Sequence, residues 1–144
     1  MSDVAQRPSS APEGAMERRE RALREFLTAV SEDFGVDPPS VALVDGSKIA
    51  SQCGLRACGC YRSREKKIVL NYDCLAELDV LDVLKVVLHE FYHHVQFLRR
   101  GREAFSDLDK PYRERPHEVR AEAFGKTFSR FYEDLWFRIL GWRS

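Results

Sequence analysis

The stretch from Val86 to Arg100, VVLHEFYHHVQFLRR, places His89, Glu90 and His93 in an H-E-x-x-H spacing inside an otherwise apolar run. Residues four apart on a helix share a face, with Cβ atoms about 5–6 Å apart, so two imidazoles so spaced can meet one Zn²⁺ at about 2.0–2.1 Å. Glu90 is turned about 100° from His89 around the helix axis, which puts it beside the ion and within reach of a water on it. The spacing therefore separates two ligands from a general base, the division of labour that metal-assisted hydrolysis requires. A helix can also bury hydrogen-bonded histidines for packing alone. The surrounding pattern disfavours that reading. Leu84, Val87, Leu88 and Phe91 form the apolar stripe, while His89 and His93 share a neighbouring face with Asp82, Val86, Gln96 and Arg100, at the margin where a side chain is half-buried and still open to a cleft.

A catalytic zinc site needs a third protein ligand and an open fourth position. The segment RPHEVRAEAFGKTF, residues 115–128, offers Glu118 and, four residues on and facing the same way, Glu122; Glu114 precedes Pro116 and is less constrained. With this segment the chain resembles the gluzincin metallopeptidases, in particular their smallest members, the minigluzincins and the ImmA/IrrE-like proteases. Glu118, Ala121, Phe124 and Gly125 match the family's second-helix motif, with Gly125 where Ala is commoner and Glu122 where Asn or Asp is commoner. The resemblance runs from about Leu81 to Phe128. It implies Glu118 as the third zinc ligand beside His89 and His93, Glu90 as catalytic base, and peptide or protein as substrate. It also implies an α+β, zincin-like minimal domain with an N-terminal helix, a small mostly antiparallel sheet, the H-E-x-x-H helix and a C-terminal glutamate helix. Ala121 and Gly125 fall on the same face as Glu118, and small residues there let one helix approach the other closely enough for the carboxylate to reach the metal.

The elements that must position these residues are legible as periodicities. Residues 1–15 are rich in Pro, Ser, Ala and Gly and read as a disordered tail, leaving residues 16–144 as one domain. Leu23, Phe26, Leu27, Val30 and Phe34 recur at helical spacing up to Gly35. VALVD is a strand candidate, and roughly Ala57 to Tyr61 and Lys67 to Asn71 read as two strands joined by a charged turn, one of which could take an extended peptide by strand addition. The motif helix is expected from Asp79 to Gly101 with Leu98 closing its apolar stripe, and a last helix from Pro116 to about Leu140. His94 reads as a solvated or capping residue. His117, Tyr92, Tyr112 and Tyr132 are all open as donors to an oxyanion.

Composition removes some functions. The 23 basic and 23 acidic residues balance, so no overall field points to nucleic acid. No apolar run approaches a membrane span and the N-terminus lacks a secretory pattern, so a cytoplasmic protein with reduced thiols is expected. Cys53, Cys58, Cys60 and Cys74 lack the paired C-x-x-C knuckles of a zinc ribbon, and Cys58 and Cys60, on one strand face, read as small buried hydrophobes ahead of a structural zinc, a disulfide or redox control. Two other functions stay open. One is a latent regulatory protease cutting one specific protein, with residues 1–15 as a plug over the cleft. The other is a non-catalytic binding module whose zinc is structural and closed by His117 or a cysteine.

Overall fold

The computed structural model describes residues 14–54, 57–105 and 109–140. Most of the expected tail, residues 1–13, lies outside them, and Ala15 already opens the first helix. Helix α1 (Ala15–Phe34) buries Leu23, Phe26, Leu27 and Val30 completely. It stops where expected, because Gly35 takes the left-handed conformation (φ 65°) that lets its N–H return to the Glu32 carbonyl at 3.2 Å.

Three strands follow: β1 (Ser40–Val44), β2 (Gly59–Arg62) and β3 (Lys67–Asn71), in spatial order β1-β3-β2. The sheet is mixed, which corrects the mostly antiparallel expectation: β2 pairs antiparallel with β3, but β1 runs parallel to it, with Val41 opposite Ile68 and Leu43 opposite Leu70. The physical reason is connection length. Between β1 and β3 the chain carries the short helix α2 (Ile49–Cys53) and all of β2, enough to return in the original direction, whereas Arg62 to Lys67 reverses in a tight turn closed by the Lys66 N–H on the Ser63 carbonyl at 3.1 Å. Alternation then sorts the side chains. Val41, Leu43, Ile68 and Leu70 join the main core, while Val69, between two of them, is fully buried outside that cluster.

The cysteines depart from expectation. They pair as Cys53–Cys60 and Cys58–Cys74, with Cα atoms 5.8 and 5.3 Å apart, and no free thiol remains. Cys60 of β2 meets Cys53 of α2, and Cys58, just before β2, meets Cys74 of α3 (Tyr72–Ala76). Neither reduced thiols nor a four-cysteine metal site describes this arrangement.

Helix α4 (Val80–Arg100) is capped by the Asp79 carboxylate, which accepts the Val80 N–H at 2.9 Å, and ends at Gly101. Val83, Leu84, Val87, Leu88, Phe91 and Val95 are its buried stripe, which runs out before Leu98, 36% exposed. The last helix comes in two pieces, α5 (Pro116–Phe131) and α6 (Glu133–Leu140). No Gly or Pro marks the break. Tyr132 leaves helical geometry (φ −98°, ψ 7°) with its hydroxyl donated to Asp33 Oδ2 at 2.8 Å, and Trp136 beyond it packs edge-on against Phe26 at 5.0 Å. Among the described residues no helix is long and apolar enough to cross a membrane.

Candidate metal centre and its cleft

Helices α4 and α5 lie against each other with almost no space at their crossing. A Cβ built on Gly125 would sit 3.0 Å from the Lys85 carbonyl oxygen, and Ala121, one turn earlier, is fully buried. This close approach brings the carboxylate of α5 to the imidazoles of α4. His89 Nε2 and His93 Nε2 lie 2.9 and 3.0 Å from the same oxygen, Glu118 Oε1. One donor atom from each of the three residues falls within 4.8 Å of the others, a group that could hold a metal ion. Of the glutamates open in the sequence, Glu118 is the convergent one. Glu122 approaches only the far side of the His89 ring, its Oε1 3.7 Å from Nδ1, and its side chain is 64% exposed.

Hydrogen bonds decide which nitrogen of His93 is available. Gln96 Nε2 donates to the His117 carbonyl at 3.1 Å, and a carbonyl can only accept, so the amide is fixed with Oε1 toward His93 Nδ1, 2.8 Å away. That oxygen also only accepts. His93 must therefore carry its proton on Nδ1, leaving the Nε2 lone pair aimed at the carboxylate oxygen of Glu118. Two acceptors facing each other at 3.0 Å need a cation between them, either a second proton on the ring or a metal ion. The donor set of two imidazole nitrogens and one carboxylate oxygen fits Zn²⁺, and the two His–Glu separations are near the roughly 3.3 Å edge of a tetrahedron of ligands at about 2.0–2.1 Å.

The electrostatics of the cluster follow from its burial. Burial opposes ionisation of Glu118, but hydrogen bonds from His89, His93 and Tyr112 outweigh it and hold the carboxyl well below the usual range. Burial likewise opposes charging of His93, and the carboxylates of Glu118 and Glu90 reverse the balance, raising its pKa. Glu90 is the contrary case. It is 7% exposed, and burial pushes its pKa up despite the neighbouring imidazoles. Two carboxylates on adjacent helices are thus tuned apart, the pKa of Glu118 lowered and that of Glu90 raised.

Glu90 opens into a cleft of about 630 Å³ whose walls include Gly59, Tyr61, His93, Phe105 and His117. Gly59 matters because its missing side chain leaves room beside the base: a Cβ there would come 3.6 Å from Glu90 Cγ and 2.9 Å from Leu70 Cδ2. Strand β2, an edge strand of the sheet, therefore forms one wall. On the other side of Glu118 and Tyr112 the concavity continues for about 700 Å³ past His89, Val119, Glu122 and Lys126.

The structure separates the candidate oxyanion donors. Tyr112 lines both halves of the cleft, and His117 Nε2 lies 3.5 Å from Glu118 Oε2. Tyr92 is stacked on Phe124 at 4.6 Å, and Tyr132 is bonded to Asp33. His94 is not solvated; it is 1% exposed. Its Nε2–H donates to the Asp37 carbonyl at 2.8 Å, so Nδ1 accepts the Tyr61 hydroxyl at 2.7 Å, and burial lowers its pKa. It clamps β2 to α4 as a neutral ring. Sequence reasoning missed this role because the alternation of β2 alone does not show Tyr61 facing α4. It also missed the bond from Gln96, although Gln96 sits three residues after His93 on the motif face. With all four cysteines paired, no thiolate is present to close the centre.

The chain matches no family model, no curated protein and no solved structure.

Proposed function

We propose that the chain is a zinc-dependent metallopeptidase of the gluzincin type, with a zincin-like arrangement of its two helices and edge strand. The observation that carries this reading is the convergence of His89 Nε2, His93 Nε2 and Glu118 Oε1, with His93 Nδ1 already committed to Gln96. These three atoms would hold the ion. Zn²⁺ bound there supplies Lewis-acid polarisation of a scissile carbonyl and lowers the pKa of a bound water to about 7. Glu90, buried and with a raised pKa, takes a proton from the attacking water and passes it to the leaving amine. Tyr112 and His117 line the cleft beside Glu118, placed to donate to oxygen as negative charge develops on it. The unpaired edge of β2 offers backbone N–H and C=O groups to an extended peptide. Because the concavity continues on both sides of Glu118, chain can lie to either side of the cut bond.

Glu90→Gln tests the assignment. The variant is expected to retain as much zinc as the parent while hydrolysis of a mixed-sequence fluorogenic peptide set falls by about 10²–10⁴-fold. Equal turnover removes Glu90 from the reaction, and a zinc-loaded parent that cuts none of the set contradicts the peptidase reading.

A further inference from the structure

A second concavity lies elsewhere on the α4–α5 pair and shares no lining residue with the cleft around Glu90. It measures about 160 Å³ and is lined by Arg99, Arg100 and Arg120 together with Tyr92, Gln96 and Ala104. Among the described residues none of the three arginines makes an ion pair or a side-chain hydrogen bond. Arg99 and Arg100 stand in the last turn of α4, where a cation complements the helix dipole. That account does not extend to Arg120, which stands in the second turn of α5, toward the end of a helix that favours negative charge. Its place beside two other guanidinium groups adds like-charge repulsion. The wall behind them is apolar and buried, with Val95 1% and Ala104 6% exposed, so charges at the mouth are less screened than on an open surface.

We propose that this pocket is a binding site for a tetrahedral, multiply charged oxyanion of the phosphate type. Guanidinium forks match phosphate oxygens, and three exposed arginines line this one pocket with no carboxylate paired to them among the described residues. The volume is well below the roughly 300–1,000 Å³ of pockets that take drug-sized ligands, which suits one such group and a few waters. The group could be a free ion or a phosphate monoester on a larger molecule.

Calorimetric titration of the full-length protein with inorganic phosphate and with phosphoserine, at constant ionic strength set with sodium chloride, tests the site. Saturable binding that weakens about tenfold in each of Arg99→Gln and Arg120→Gln, and persists in His89→Ala, is the expected result. Tighter binding of phosphoserine assigns the pocket to a monoester, and tighter binding of inorganic phosphate assigns it to the free ion. Absence of saturable heat, or binding that survives both arginine substitutions, overturns the proposal. Binding lost in His89→Ala does so too, because it places the anion at the metal centre. The His89→Ala arm also separates the two readings, since the arginine pocket stands or falls independently of zinc.

Discussion

Gln96 Oε1 accepts the Nδ1–H of His93 at 2.8 Å while the same amide donates to the backbone carbonyl of His117 at 3.1 Å. One side chain of α4 thus orients a ligand ring on its own helix and anchors the start of the helix that delivers Glu118. A ligating imidazole is ordinarily fixed through its second nitrogen in this way, and loss of such a partner typically costs 10–100-fold in metal affinity. Gln96→Ala is therefore expected to weaken zinc binding by about that factor with the helical content unchanged. Competition with a chromophoric chelator measures it, and parental affinity in the variant would show that Gln96 does not orient the ligand.

Gly125 controls the distance between the two helices. Adding a side chain at a site where even a Cβ meets the Lys85 carbonyl oxygen at 3.0 Å must displace backbone. Gly125→Val is expected to cost about 1–3 kcal/mol in stability and, by moving α5 outward, to weaken zinc binding as well. Urea unfolding with and without zinc separates the effects. A variant that loses stability but binds zinc at parental strength would mean that Glu118 does not depend on the tight crossing.

The two disulfides tie Cys60 of β2 to α2 and Cys58, just before β2, to α3; Cys53 and Cys60 line the same cleft as Glu90, His93 and Glu118 but supply none of the atoms that would bind metal. Their sequence separations of 7 and 16 residues predict, on the loop-entropy account, about 2 kcal/mol for Cys53–Cys60 and about 3 kcal/mol for Cys58–Cys74. Paired Cys→Ser variants are expected to fall in that order in chemical denaturation while keeping zinc affinity, because the donors lie on α4 and α5. Loss of zinc on reduction would show that the β2 layer supports the centre directly. Alkylation with mass analysis before and after reduction verifies both bridges.

How much of this was legible in the sequence depends on the range of the interaction. The caps at Asp79 and Gly35, the start of α5 at Pro116 and the shared face of His89 and His93 are local consequences of spacing, and the structure places them as read. The small residues Ala121 and Gly125 signalled a close helix crossing, and Gly125 does meet the backbone of α4 at Lys85. Features set by distant partners were not legible. The parallel course of β1 depends on where a long connection returns. The kink at Tyr132 depends on Asp33, 99 residues away, and the burial of His94 depends on Asp37 and Tyr61. The cysteine pairs also required knowing that α2 packs beside Cys60 and α3 beside Cys58. Between Glu118 and Glu122, four residues apart on one face, only the tertiary geometry distinguishes the carboxylate that reaches both rings from the one that reaches the back of His89.

Metal stoichiometry tests the His89, His93 and Glu118 centre most directly. Protein stripped with chelator, incubated with zinc, passed through a desalting column and analysed by plasma mass spectrometry is expected to carry one zinc ion per chain. Glu118→Ala and His93→Ala are each expected to lose most of it while Glu122→Ala keeps it. A parent without bound zinc, or a Glu118→Ala variant that still holds one ion per chain, would contradict the central claim.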